Sequence, residues 1–421
     1  QRHGLLGRIR PRLQNPLDFA HEALDGSAAN PLVPGYGRRT DQLAGSLTLT
    51  AGAFELGLSG SCAEGEYGFQ DQSDLFLTRL ARSLDAEATA SARAWEWLTI
   101  AAALAAGSDS ITLEGSRVLR QESEYRLAPS LSLDARFKKV RFGLSARYTF
   151  RSSAPGGSEL HRFTTGLAFG ADLASSLLLD GSVGWYGSSA GASLVPFEIR
   201  LTGTPLPFLT LALGGGFKAT PLDIQDVLAL HPFVDPALPV DDSGWFADAS
   251  FRFTFTKDLS ASARAALISR DAMLDADAAA DPVTGLLPLA QRQGLRLSSD
   301  VGMRWGITQE ISLSASLAHE WLPLAVLVPV DRLLVELAGL QAAGRWGGNA
   351  SVDFSVPQPS AGSPQLPVVS ASGFLAVSDV VTLQLGASDV LAPLLPGAVR
   401  IDIGAYTTPG LRLTGSVKMS F

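Results

Sequence analysis

Residues Gly410–Phe421 read GLRLTGSVKMSF, and the fold follows from how this stretch is understood. Leu411, Leu413, Gly415, Val417, Met419 and Phe421 alternate with Arg412, Thr414, Ser416, Lys418 and Ser420. Period-two alternation marks a β-strand with one apolar face, yet soluble domains tend to fray into polar residues at their termini. The same pattern recurs along the chain. LRLSSDVGMRWGI sets Leu295, Leu297, Val301, Met303, Trp305 and Ile307 against Arg296, Ser298, Asp300 and Arg304. ISLSASLAHEW and VRFGLSARYTF do likewise, and WFADASFRFTFTKDLSASARAAL does it twice around Thr256–Asp258. Helical spacing fits none of these segments.

Composition narrows what solvent the apolar faces meet. Hydrophobic residues make up 46% and charged residues only 18%, so mean hydropathy is positive, but no run of 18 apolar residues exists to form a helical span. The longest apolar stretch, Leu98–Gly107, is far too short. A lone Cys62 permits no internal disulfide, and five dispersed histidines make a zinc site unexpected. A net charge of −8 argues against a nucleic-acid partner. The opening QRHGLLGRIRPRLQNPLDF is charged and broken by proline, unlike a secretory signal. An all-β chain with an apolar exterior remains.

The connectors supply the second regularity. Tight joints fall near Ala94–Glu96, Lys138–Lys139, Ala174–Ser176, Pro205–Pro207, Thr256–Asp258, Thr308–Glu310, Ala342–Gly348 and Ser378–Asp379. Longer polar connections lie between them, among them Cys62–Ser73, Ser108–Ser123, Ser152–Leu160, Thr220–Ser243 and Asp271–Gln293. Short turns at one end and long loops at the other are the layout of an outer-membrane barrel. With an opening strand near Gly45–Gly60, the expectation is a transmembrane antiparallel up-and-down β-barrel of about 18 strands, or 16 if Val330–Val356 is irregular or the slip of phase at Gly52 marks something other than a bulge. Residues 1–41 are expected ahead of the barrel, in the periplasm or along the lumen, with the barrel over 42–421. Tryptophans favour the two interfaces of a bilayer. Trp95, Trp97, Trp305 and Trp346 fall by tight turns, and Trp185, Trp245 and Trp321 by long loops. A soluble solenoid or propeller would show a repeat period, and none is present.

The C-terminal segment VVTLQLGASDVLAPLLPG…AYTTPGLRLTGSVKMSF resembles the end of TonB-dependent-receptor-like barrels. Tyr406, Pro409 and Gly410 match that group's Tyr-x-x-Pro-Gly-Arg element, with Leu411 in the place of the Arg. Ala387–Leu391 stands where an Asn-Leu-type turn is usual. The resemblance implies that Phe421 is part of the assembly signal read by the barrel-insertion machinery. It would also imply an N-terminal plug, for which the residues before the first expected strand are too few, so a barrel without a plug domain is expected. Both termini would then be periplasmic.

Lumen-lining candidates on the polar faces are Arg136, Arg141, Arg147, Arg252, Arg264, Arg296, Asp300, Arg304, Arg412 and Lys418. Rings of fixed positive charge favour anions, while arginine–carboxylate ladders that brace the wall are the plainer reading. Asp271, Asp275, Asp277 and Asp281 could offer oxygen ligands, but the spacing lacks the glycine and glutamate of a calcium loop. That loop and the aspartates of Thr220–Ser243 read as solvated acidic loops. His161 and His319 sit in no nucleophile motif, so no enzyme and no cofactor is expected. The expected role is passage of small solutes across the outer membrane. The alternative is a non-conducting barrel that scaffolds an envelope complex. Expected partners are outer-membrane lipid, the insertion machinery and an envelope protein at the N-terminal segment.

Overall fold

A computed structural model describes residues 10–12, 17–25, 35–70, 76–115, 119–154, 157–224, 226–227, 234–235, 240–276, 281, 286–320, 331–340, 344–356, 367–391 and 411–419. Strand β1 (Arg10–Arg12) and β2 (Leu17–Asp25) lie end to end along β3 (Gly35–Ala51). The wall continues through β4 (Phe54–Gln70), β5 (Phe76–Trp95), β6 (Leu98–Gly115), β7 (Leu119–Phe137), β8 (Val140–Ala154), β9 (Glu159–Ala174) and β10 (Leu177–Ser188). The short β11 (Ser193–Leu194) and β12 (Phe197–Leu206) both pair with β10. Then follow β13 (Leu209–Thr220), β14 (Asp242–Thr254), β15 (Leu259–Ala276), β16 (Leu289–Gly306), β17 (Ile311–Glu320) and β18 (Asp331–Leu340). The last four are β19 (Trp346–Val356), β20 (Val368–Ala376), β21 (Val381–Ser388) and β22 (Arg412–Met419).

Apart from β1 and β11, which extend the collinear β2 and β12, each strand hydrogen-bonds antiparallel to the one before it, and β22 pairs on its far side with β2, from Leu17↔Met419 to Ala23↔Leu413. The pairing therefore closes into a ring. With β1 and β11 counted as extensions of their collinear neighbours, the ring has 20 strands. Among the described residues no helix is long and apolar enough to cross a membrane.

Two strands more than expected come from the N-terminal part of the chain. Gly52, read from the sequence as a slip of phase, is the left-handed corner (φ +62°) of a two-residue turn joining β3 to β4. Only glycine takes that backbone conformation without steric cost, so the expected single opening strand is a hairpin. The boundary expected at residue 42 is also corrected. It falls inside β3, and Leu17–Asp25 lies in the wall, where it supplies the partner that β22 needs.

Alternation sorts the side chains. Leu56, Leu58, Leu104, Leu131, Phe142, Leu144, Leu167, Leu213, Val301, Leu317 and Leu385 point outward and are exposed. An apolar surface on this scale is tolerated only where lipid covers it. Trp95 stacks on Trp97 at 5.6 Å and Trp97 on Phe137 at 5.0 Å, by the short turns. Trp185 packs on Phe163 at 5.7 Å and Trp245 on Phe217 at 5.3 Å, each well up its strand from the short turn. Trp305 and Trp346 are exposed near the short-turn rim, and Trp321 and Phe421 lie outside the described residues.

Adjacent residues on opposite faces give a direct check. Leu317→Arg should destabilise the barrel by about 2–4 kcal/mol, because it puts a charge in the hydrocarbon layer, whereas Ser316→Arg on the inner face should cost under about 1 kcal/mol. Denaturant titration of refolding into lipid vesicles reads both.

Candidate functional site

Strands β4 to β7 run 17 to 20 residues, although about 10 suffice to cross a bilayer. Their far ends rise beyond the lipid as a partial wall. Sequence alternation loses this extension: once the outer face meets water its residues turn polar, as in ESEYR within β7. The connections expected at Cys62–Ser73 and Ser108–Ser123 are accordingly shorter in the structure.

Against this wall lies the chain between β13 and β14. Arg151 on β8 holds Glu124 of β7 through two bonds, at 2.9 and 2.5 Å, and donates to the Leu222 carbonyl at 2.6 Å. Arg162 on β9 reaches the same carbonyl at 2.7 Å and forms an ion pair with Asp241, which also accepts from Tyr186. The Leu222 N–H in turn donates to Asp241 at 3.2 Å. Arg126 on β7 binds Asp223 at 2.8 Å, Asp109 at 2.8 Å and Asp85 at 3.1 Å. Gly107 makes this last crossing feasible, since a Cβ there would meet the Asp85 carboxylate at 2.7 Å and Arg126 at 3.0 Å.

A second set of contacts ties down Val234, Asp235, Val240 and Asp242. Arg120 pairs with Asp235 at 2.6 Å, and Val234 bridges Leu287 in parallel from the neighbouring loop. Gln291 exchanges hydrogen bonds with the Val240 backbone, each 2.8 Å. Asp242 accepts from Arg270 at 3.1 Å and from the Ala272 N–H at 2.9 Å. Leu222, Ile224, Val227, Val234, Leu286 and Leu287 are buried here, as are Ile111 and Leu113 of β6. A cluster of buried apolar groups adds a driving force that ion pairs alone would not.

The expectation of solvated acidic loops is therefore wrong for these aspartates. Asp223, Asp235, Asp241 and Asp242 serve as anchors, and Asp275 is fully buried beside Arg292 at 3.3 Å. Asp277 lies outside the described residues. No cluster of metal-ligating side chains occurs among the described residues.

Beneath the docked segment is a cavity of about 1060 Å³ inside the ring. Its lining includes Ser59, Ser61, Ser130, Ser132, Ser145, Thr149 and Thr164, with Asp85, Glu87, Arg126, Arg147 and Lys418 as charged groups. Of the other residues singled out in the sequence, Arg141 pairs with Asp180 at 2.7 Å and Arg296 with Glu320 at 2.9 Å. Arg136 sits across from Arg141 in register, and Arg264 across from Asp300. Arg252 and Arg304 lie on the same inner face of β14 and β16 as Asp248 and Asp300. Arg412 is in β22, and its side chain is outside the described set. Arg126, Arg151, Asp109 and Glu124 did not stand out in the sequence, because they lie where the apolar parity has already stopped.

No protein-family model and no curated protein matches the chain in sequence. Solved structures do match in shape. The copper transporter OprC superposes with a TM-score of 0.68 over 99% of this chain and 81% of that one, at 12% identity. A variant of the ferric enterobactin receptor PfeA from Pseudomonas aeruginosa gives 0.62 over 97% and 81%, at 10% identity. The siderophore receptor PirA from Acinetobacter baumannii gives 0.63 over 99% and 81%, at 8% identity. At such identities the likeness is one of fold, and the fold is that of an outer-membrane β-barrel.

Removing Arg151 would leave the buried Glu124 with only Arg126, at 4.0 Å, as counter-charge, so Arg151→Ala should cost about 3 kcal/mol and make the chain between Leu222 and Asp241 far more sensitive to protease. Two aspartates give docking a pH dependence. Burial pushes the Asp223 carboxyl up, but Arg126, the Asp226 N–H and Arg151 outweigh it and hold it below the ordinary 3.8. Burial, with the adjacent Asp223 charge, raises Asp226 above 3.8. The Asp226 penalty disappears as pH falls through that raised value, whereas the Asp223 contribution is complete above 3.8 and lost as pH falls through its depressed value. Amide protection at Asp223 and Asp226, measured relative to the intrinsic exchange rate at each pH, should therefore rise slightly on mild acidification and then fall at lower pH.

Proposed function

We propose that the chain is a bacterial outer-membrane barrel through which a small solute passes, with the segment docked between β13 and β14 narrowing the route. The observation that carries this reading is the cavity of about 1060 Å³ inside the ring beneath that segment, lined by hydroxyl and charged side chains among alanines and glycines. A wall that served only as a support would have no need of a hydroxyl-lined interior. The structures similar in fold are by title a copper transporter and receptors for ferric enterobactin and siderophores, and the C-terminal resemblance points to the same broad class. In this reading the short-turn rim and both termini face the periplasm, and the docked segment faces the outside. The anchors Arg126, Arg151 and Arg162 set how wide the route is.

Purified full-length barrel in planar bilayers tests the proposal. The unmodified chain should conduct in small steps, and a variant carrying Arg126→Gln, Arg151→Gln and Arg162→Gln should conduct severalfold more. An inserted, heat-modifiable barrel that never conducts in either form would overturn the passage reading. A stoichiometric envelope protein retained on purification would then favour the scaffold.

A further inference from the structure

The charges lining the cavity are not equivalent. Arg126, Arg151 and Arg162 each hold at least one carboxylate of the wall or the docked segment, so their charge is already committed. Arg147 and Glu87 also line the cavity, and neither has an ion-pair partner among the described residues. They lie at the same depth. Glu87 is eight residues above Trp95, the last residue of β5, and Arg147 seven above Val140, the first of β8.

What separates them is small. Glu87 is in register with Ala105 of β6, and Ala105 with Ala128 of β7. Arg147 is in register with Ser130 of β7 on one side and Thr164 of β9 on the other. Three inter-strand steps and an offset of two residues along the strand put the two backbones about 16 Å apart along the wall, and Ala105 and Ala128 line the cavity between them. Asp85, two residues from Glu87 on the same face of β5, also lines the cavity but is held by Arg126 at 3.1 Å. The other cation of the lining, Lys418, is in register with Thr382, next to the short turn and well below this level.

Resting on the passage reading above, we infer that this cavity selects dipolar solutes, holding a cationic group at Glu87 and a carboxylate at Arg147. The hydroxyls of Ser130 and Thr164 flank the guanidinium and offer further donors to the same carboxylate. A peptide-like zwitterion with several bonds between its charges satisfies both ends at once. A simple anion or cation satisfies one and is repelled by the other. Charge-assisted hydrogen bonds are the strong ones, so each end should contribute about tenfold in affinity.

Trialanine, N-acetyl-trialanine and trialanine amide serve as probes, titrated calorimetrically into the purified full chain at neutral pH. Trialanine should bind about tenfold more tightly than either capped peptide. Arg147→Gln should bring trialanine down to the level of the amide, and Glu87→Gln to the level of the acetylated peptide. Neither substitution strands a buried partner, so both variants should fold, as gel mobility will show. Arg82→Gln, on the outward face of β5 against Glu64, should leave the order unchanged. The inference is overturned if no probe binds, if the three bind alike, or if the preference survives both cavity substitutions. Conductance is read separately: conduction without the binding order retains the passage and removes the site, and the order without conduction does the reverse.

Discussion

Every feature of this molecule depends on the closure of its sheet. A strand in lipid has no water to satisfy its N–H and C=O groups, so an open edge in the hydrocarbon layer costs several kcal/mol per unpaired group. Here β22 meets β2 over seven register pairs, so among the described residues the ring is closed. Closure also explains why Leu17–Asp25 sits in the wall: without it, β22 would have one bonded side only. The alternation then follows, since a closed wall has one face for lipid and one for the interior.

The barrel was legible in the sequence because its physics is repetitive. Apolar parity in β8, β16, β17 and β22, together with the short joints, defines strands wherever lipid demands a leucine or phenylalanine outside. Gly52 was harder to read, since a two-residue turn and a change of phase look alike when the flanking residues are Ala51 and Ala53. Leu17–Asp25 was lost because LDFAHEALD mixes apolar and charged residues without clear parity.

The docked segment was legible only in its ingredients. Four aspartates between β13 and β14 suggest solubility when read alone, and Arg126, Arg151 and Arg162 look like members of polar faces. Their meaning lies in pairing across separations of 97, 71 and 60 residues to Asp223 and the Leu222 carbonyl, which no local pattern encodes. Arg147 was already legible as a lumen-lining candidate, but only the structure shows that it and Glu87 are left at one depth without an ion pair among the described residues.

Those separations also order events in time. The Leu222 carbonyl needs guanidinium groups from β8 and β9, and Asp223 needs one from β7, so the segment has nowhere to settle until that part of the wall is in place. Contacts so distant along the chain are slow to form. Docking of Leu222 is accordingly a late event in biogenesis, and its protection would mark a barrel whose assembly is finished.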